Sequence, residues 1–350
     1  MDKDLKYTYK KIKLEVPILP NYKFKVTHVG VHTQEAIDME KIELEQIGAR
    51  QIVTPALDTE EDMVTQTEHS DGIIIMESMV SLRTMEASPN CKVILRTGVG
   101  VDTIDIDAAT KRGIAVVNVP DIWIREVANH AMALLLACNR RIFLLDHHIR
   151  KNVWHKVIPP PVGAIHGETL GIIGLGQIGK SLAKRAIGFE MNLIAYDPYI
   201  DQSVFEEYGV KSVSFEELLT KSDYISIHTP LTDETRHMFD EKALRKMKPT
   251  SYLINTARGP IVEISALEKA LQNKWISGAG IDVFEQEPMP VDNPILKMDN
   301  VIMTPHAGYY SDPALKALGT RCGQEVARVL LGKKPLFLVN PDVLQIVPLK

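Results

Sequence analysis

The sequence predicts an α/β protein of two doubly wound parallel-sheet domains, one inserted into the other. Three observations carry this. Short apolar runs alternate with amphipathic stretches, and strands separated by helices build a parallel sheet with helices on both faces. The alternation starts afresh after Pro120 as a second series. The chain has 350 residues, more than one core ordinarily holds.

In the first series FKVTHVG, ARQIVTP, DGIIIM and CKVILR read as strands. QEAIDMEKIELEQIG, between the first two, reads as helix. DAATKRGIAVVNVP reads as a helix, a glycine stop and a strand. Then IREVANHAMALLLACNRRIFLLDHHIRK keeps apolar residues at helical spacing over a long span. It is too apolar for a free surface helix, so it is expected to pack against something large. KVIPPPVGAIHGE, rich in proline and glycine, reads as loop. TLGIIG, NLIAYD, SDYISIHTP, TSYLINTA, GAGIDVF and NVIMTPH follow as strands with helical material between most of them. After Ser311, DPALKALGTRCGQEVARVLLG returns to helix. The expected division is 1–119 with 310–350 as one domain and 120–309 as the other, crossing near Pro120 and Tyr309.

Composition narrows the function. Apolar residues make up 45% and charged residues 24%, the balance of a soluble globular protein. The net charge of −5, with no block of lysine or arginine, argues against nucleic-acid binding. The first residues, MDKDLKYTYKKIK, lack the apolar segment of a secretion signal, and AMALLLAC is too short to span a bilayer. Cys91, Cys138 and Cys322 are scattered without metal-type spacing, so no metal and a reduced, cytoplasmic setting are expected.

GIIGLGQIGK places Gly174, Gly176 and Gly179 in G-x-G-x-x-G spacing, after an apolar strand and before a helix. Gly174 would allow the tight turn. Gly176 would admit a pyrophosphate, and Gly179 would let helix and strand pack closely. The amides of Gln177 and Ile178 would face the phosphates from a helix N-terminus. Asp197 ends the next strand, 18 residues beyond Gly179. A carboxylate there accepts from a ribose 2′-hydroxyl and repels a 2′-phosphate, which predicts NAD rather than NADP. The plain alternative is a structural turn with a solvated strand end.

Arg258 in LINTARGP, Glu287 in GIDVFEQEP and His306 in MTPHAG fall at the ends of later strands. Ligands of open α/β sheets bind at those ends, so distant residues converge there. Hydride transfer to a keto acid needs such a set. An arginine holds the carboxylate and polarises the carbonyl. A histidine supplies the proton, and a carboxylate beside it raises its pKa and fixes its tautomer. Taken singly, each reads more simply as a surface ion pair, a loop charge or a structural histidine, and Glu285 is an equally acidic neighbour of Glu287. Their joint placement after a cofactor motif favours chemistry.

On RTGVGVDTIDIDAATKRGI, GIIGLGQIGK with AYDPY, HTPLTDETRH, LINTARGPIVE, GIDVFEQEP and MTPHAG, the chain resembles the D-isomer-specific 2-hydroxyacid dehydrogenase family. The resemblance implies an NAD-dependent oxidoreductase interconverting a D-2-hydroxy acid and a 2-keto acid. Its Rossmann domain would be inserted into a flavodoxin-like substrate domain. A homodimer is implied too, with the long helix after Pro120 at the contact. It implies that Arg258 binds substrate, Glu287 pairs with His306, and His306 is the acid/base. Thr229, Thr256, Ala257 and Asp282 match cofactor-contacting positions, and Arg258 and His306 also border the cofactor. Val99 and Gly100 match the backbone that holds the substrate carboxylate.

RTGVGVD, AYDPYI and PHAGYYS are most similar to the branch of the C-terminal binding proteins, with phosphoglycerate dehydrogenases close. Arg96 matches a pocket arginine there, which suggests an extra anionic or polar group on the substrate; a strand-end ion pair is the plain alternative. Tyr309 stands where that branch carries tryptophan. The same branch supplies a rival: a dinucleotide-sensing corepressor that binds short peptides. A third possibility is an NAD enzyme acting on formate or phosphite.

Overall fold

The computed structural model describes residues 22–30, 33–154 and 162–350. The charged N-terminal stretch and residues 155–161, which open the KVIPPPVGAIHGE loop, lie outside the described residues. The remaining chain forms two wholly parallel sheets.

The first sheet contains β1 (Phe24–Val29), β2 (Ala49–Thr54), β3 (Gly72–Ile75), β4 (Val93–Arg96) and β5 (Ala115–Asn118), in the order β2-β1-β3-β4-β5. Helices α1 (Gln34–Glu45), α2 (Glu60–Thr67), α3 (Leu82–Ala87) and α4 (Ile106–Lys111) connect them. Their starts are written locally. Thr33, Thr59, Ser81 and Asp105 each accept a hydrogen bond from the amide three residues on. Both sheet faces are buried, which is why the strands read as nearly unbroken apolar runs. Val26, Ile74, Leu95 and Val117 pack on Leu44, while Ile73, Ile75, Ile94 and Val116 pack with Met63 and Met85.

The second sheet is larger. It holds β6 (Thr169–Ile173), β7 (Asn192–Tyr196), β8 (Lys211–Ser212), β9 (Tyr224–Ile227), β10 (Tyr252–Asn255), β11 (Gly278–Ile281) and β12 (Val301–Met303), ordered β12-β11-β10-β9-β6-β7-β8. The order reverses between β6 and β9, and such a switch point opens a crevice at the carboxyl ends of the strands. On one face lie α5 (Ile124–Asn139) and α7 (Gln177–Ile187), with α6 (Ile142–Arg150) following α5; Leu135, Leu182 and Ala186 pack on Leu170, Ile172 and Ile254. α8 (Gln202–Glu207) leads into β8, and α9 (Phe215–Lys221), α10 (Glu241–Lys246) and α11 (Ile264–Gln272) complete this half. Leu218, Leu244 and Leu267 pack on Ile225, Leu253 and Ala279. The last helix, α12 (Asp312–Leu330), returns to the first sheet and lies along α1; its Leu315, Leu318 and Val326 join that core.

Two readings change. The long helix expected over 124–151 is two helices, broken at Arg140 and Arg141, where Arg141 adopts φ 53°. The polar run Asn139–Arg141 interrupts the apolar period. The two halves also meet different surroundings, since α5 buries eight residues and α6 none. The two-residue β8 at the sheet edge carries too little pattern to be seen in sequence. No helix among the described residues is long and apolar enough to cross a membrane. Cys91, Cys138 and Cys322 are buried free thiols.

Candidate active site

The glycine-rich turn leaves β6 at its carboxyl end. Gly174 sits at φ +85°, and a Cβ on Gly179 would stand 2.2 Å from the Gly174 carbonyl oxygen, so the α7 start packs on its own strand end. Gly176 caps α7 without a side chain, and a Cβ there would meet open space. Asp197, just past β7, accepts from the Leu175 amide at 2.9 Å and the Tyr199 amide at 3.0 Å. The carboxylate therefore staples the glycine turn to the neighbouring strand end. His228 and Thr229 border Gly174, and Thr256 follows β10. Nδ1 of His228 and Oγ1 of Thr256 are buried without a hydrogen-bond partner. Burial pulls the His228 imidazole down to about 3. An open glycine turn, a carboxylate at the next strand end and unpaired polar atoms at the switch point fit a dinucleotide.

Beyond β10, the buried Asn255 shapes the arginine turn. Its side chain accepts from the Ala257 amide at 3.0 Å and donates to the Arg258 carbonyl at 2.9 Å. Arg258 Nη1 donates to the Ala257 carbonyl at 2.8 Å. Its Nε lies 3.5 Å from Asp102 Oδ1, a residue of the loop after β4. A Cβ on Gly100 would stand 1.9 Å from Arg258 Nη2. The arginine thus reaches across from the second sheet to the RTGVGVD loop of the first. Val99 is exposed in that loop, where its carbonyl accepts from Asn118 Nδ2 at 2.7 Å.

The two acids of FEQEP separate cleanly. Glu285 pairs with His237 at 2.6 Å and accepts from the Ile264 amide at the start of α11. Glu287 accepts from the Phe284 amide at 2.8 Å and pairs with His306, Oε2 to Nδ1 at 2.7 Å. Burial pushes the Glu287 carboxyl up, but the His306 hydrogen bond, the Phe284 amide and nearby Arg258 together hold it below its ordinary value. His306 is in the left-handed region, at φ 52°.

Arg96, at the end of β4, lies against Gly98, and its Nε is buried without a partner. Burial, then the like charge of Arg258, pulls its guanidinium down to about 10. Tyr309 packs edge-on to Trp123 at 5.2 Å between centroids, and to His306 at 6.5 Å. Arg96, Val99, Gly100, Arg258, Glu287, His306 and Tyr309 therefore gather in one cleft between the sheets. Gly174 to Gly179, Asp197, Thr229 and Thr256 line the adjoining switch point. Asp282 is placed differently from a free cofactor contact: both carboxylate oxygens are engaged by residues 304–308. Sequence reasoning missed Asn255, Asp102, Thr304 and His130. Only a histidine in the apolar run of α5 and a threonine two residues before His306 could have signalled the last two.

The family model for the D-isomer specific 2-hydroxyacid dehydrogenase NAD binding domain matches residues 132–308. A glyoxylate reductase of Korarchaeum cryptofilum is 39% identical over 290 residues, 82% of this chain and 87% of that protein. A D-3-phosphoglycerate dehydrogenase of Methanocaldococcus jannaschii is 39% identical over 86% of this chain, which spans 57% of that relative's length. The NAD-complexed D-isomer specific 2-hydroxyacid dehydrogenase of Lactobacillus delbrueckii superposes with a TM-score of 0.74 at 26% identity, covering 90% of this chain and all of that one. Both sheets, the cofactor cleft and these relatives agree: the chain belongs to the D-isomer-specific 2-hydroxyacid dehydrogenase family and is an NAD-dependent dehydrogenase.

Proposed function

We propose that this enzyme reduces a small 2-keto acid to the D-2-hydroxy acid, with His306 as the acid/base. The observation that carries the reading is the 2.7 Å bond between His306 Nδ1 and Glu287. An ionised Glu287 makes Nδ1 the donor, which leaves Nε2 to exchange a proton with the substrate oxygen. Bound NADH supplies hydride to the carbonyl carbon. Arg258 clamps the carboxylate and polarises the carbonyl, trading its 3.5 Å contact with Asp102 for the substrate. The backbone of Val99 and Gly100 holds the same carboxylate. Asp197 receives the ribose hydroxyls, with Gln177 and Ile178 at the phosphates and Thr229, Thr256 and Ala257 around the remainder.

Arg96 is the residue that selects the acid. A half-buried guanidinium beside a second one is eased by an anion, so a substrate with a second anionic group is favoured. Tyr309 walls the same pocket. The relatives are named for glyoxylate reduction and D-3-phosphoglycerate dehydrogenation, and both acids belong in the first substrate panel. No observation favours a corepressor over an enzyme, nor formate or phosphite over a keto acid. The domain crossings fall near Pro120 and Tyr309. A homodimer along α5 and α6 would cover Phe143 and Trp154, which are 60% and 77% exposed. The buried free thiols suit the cytoplasm.

The test is His306→Ala. Turnover is expected to fall by two orders of magnitude or so, with NADH binding retained in a fluorescence titration. A rate like that of the unsubstituted enzyme would sink the assignment.

A further inference from the structure

We propose that His130 is a positioning residue for the proton-transfer loop. As an obligatory Nε2–H donor it fixes the Thr304 hydroxyl, and through it the Asp282 carboxylate that shapes the turn at His306. The inference rests on reading His306 as the acid/base.

Asp282 gathers the loop onto one residue. Its Oδ1 accepts from Thr304 Oγ1 at 2.5 Å and the Ala307 amide at 2.9 Å; its Oδ2 accepts from the Gly308 amide at 2.8 Å. Its carbonyl accepts from the His306 amide at 2.7 Å. These bonds surround a non-glycine residue held at φ 52°, a conformation that needs outside support. Burial pushes the Asp282 carboxyl up. Contacts with His130, Thr304, Ala307 and Gly308 outweigh it and bring the carboxyl below its ordinary value, so it stays ionised and only accepts.

The direction of the chain follows. A threonine hydroxyl has one proton, and the short contact commits it to Asp282. His130 Nε2 lies 2.8 Å from the same hydroxyl oxygen. With its proton committed, that oxygen accepts, so Nε2 must carry the hydrogen. His130 also stands 3.4 Å from Asp282 Oδ1 and lies over Gly308, where a Cβ would come within 3.4 Å of its ring. His130 belongs to α5, the helix that also begins beside Trp123, the neighbour of Tyr309. The loop from 304 to 309 is thus braced at both ends from one helix.

The experiment is steady-state kinetics on His130→Leu, His130→Gln, Thr304→Val and the Leu/Val double variant. His130→Leu should lower kcat roughly ten- to a hundred-fold, with little change in KM for NADH. Glutamine restores an N–H donor and should recover most of the rate. Thr304→Val should resemble His130→Leu, and the double variant should lose no more than either. Equal damage from Gln and Leu, additive losses, or an unchanged kcat in His130→Leu would overturn the proposal. If the Leu variant does not fold, the contrast between an active His130→Gln and an impaired Thr304→Val still decides; the reverse contrast refutes it. An unimpaired His130→Leu beside an inactive His306→Ala removes the relay alone. An active His306→Ala removes the reading of the site.

Discussion

Arg96 and Arg258 bring two guanidinium groups to one cleft, and only one is needed to hold a carboxylate. Arg96 keeps its charge at neutral pH, with its guanidinium near 10. Its Nε lacks a partner. Removing it should matter only to an acid that presents a second anion. Across a panel of 2-keto acids, Arg96→Ala is expected to raise KM at least ten-fold for the phosphorylated or dicarboxylic member, about the worth of one charge-assisted bond. KM for glyoxylate should stay nearly unchanged. A uniform rise across the panel would assign Arg96 to packing instead. At this scale the sequence was generous where residue type and strand-end position coincide, as at Arg258, Glu287 and His306. Residue type and spacing left Glu285 and Glu287 equal; the family resemblance pointed to Glu287, and it is Glu287 that meets the histidine. That choice depends on the path of the loop after Phe284, and no local pattern records it. Thr304 and His130 are 174 residues apart, and nothing in either segment announces the other.

Elements tell a similar story. Every helix start in the first sheet carries its cap in the sequence, and each strand shows its buried faces. The α5–α6 break was hidden because apolar residues continue past Arg141 at helical spacing, although no residue of α6 is fully buried among the described residues. An exacting contact between elements lies elsewhere, where α12 packs along α1. A Cβ on Gly319 would stand 2.0 Å from the Ala36 carbonyl oxygen, and one on Gly323 would meet Glu43 Cβ at 2.6 Å. Backbone cannot yield as a side-chain tip does. Gly319→Ala is therefore expected to cost about 1–3 kcal/mol despite alanine's better helix propensity. A denaturation midpoint shifted downward at constant m-value would show it; an unchanged midpoint would mean that the helices separate freely.

For the molecule as a whole, the legible part was the order of layers, since alternating strands and helices leave few topologies open. A helix after the last strand was legible too; the structure packs its Leu315, Leu318 and Val326 with the first sheet. What could not be read is the depth of the crevice at the switch point, and with it the burial of His228. That burial has a consequence for acid stability. The His228 pKa is depressed from about 6.5 to about 3 in the folded state. Between those values the unfolded chain binds the proton and the native one does not. Stability is therefore full above about pH 6.5 and falls as the pH drops toward 3, at up to about 1.4 kcal/mol per pH unit. Glu287 and Asp282, held low in the native state, add their losses only in the carboxylate range below. Melting temperature against pH for the cofactor-free protein should show a first decline starting near 6.5. His228→Asn should delay that decline until the carboxylates titrate. Superimposable curves would exclude His228 as its source.

Arg258 is never idle between turnovers. Asp102, in the loop after β4, lies against its guanidinium in the free enzyme. On the proposed reading, an arriving keto acid does not fill a vacancy but wins an exchange, and a departing product finds its successor already waiting. The chain carries its own weak competitor, tethered at the far bank of the cleft. On the same reading, some affinity for the substrate would be traded for ease of release. The hand-over would also unfasten and refasten, in every cycle, one contact between the loops that follow β4 and β10.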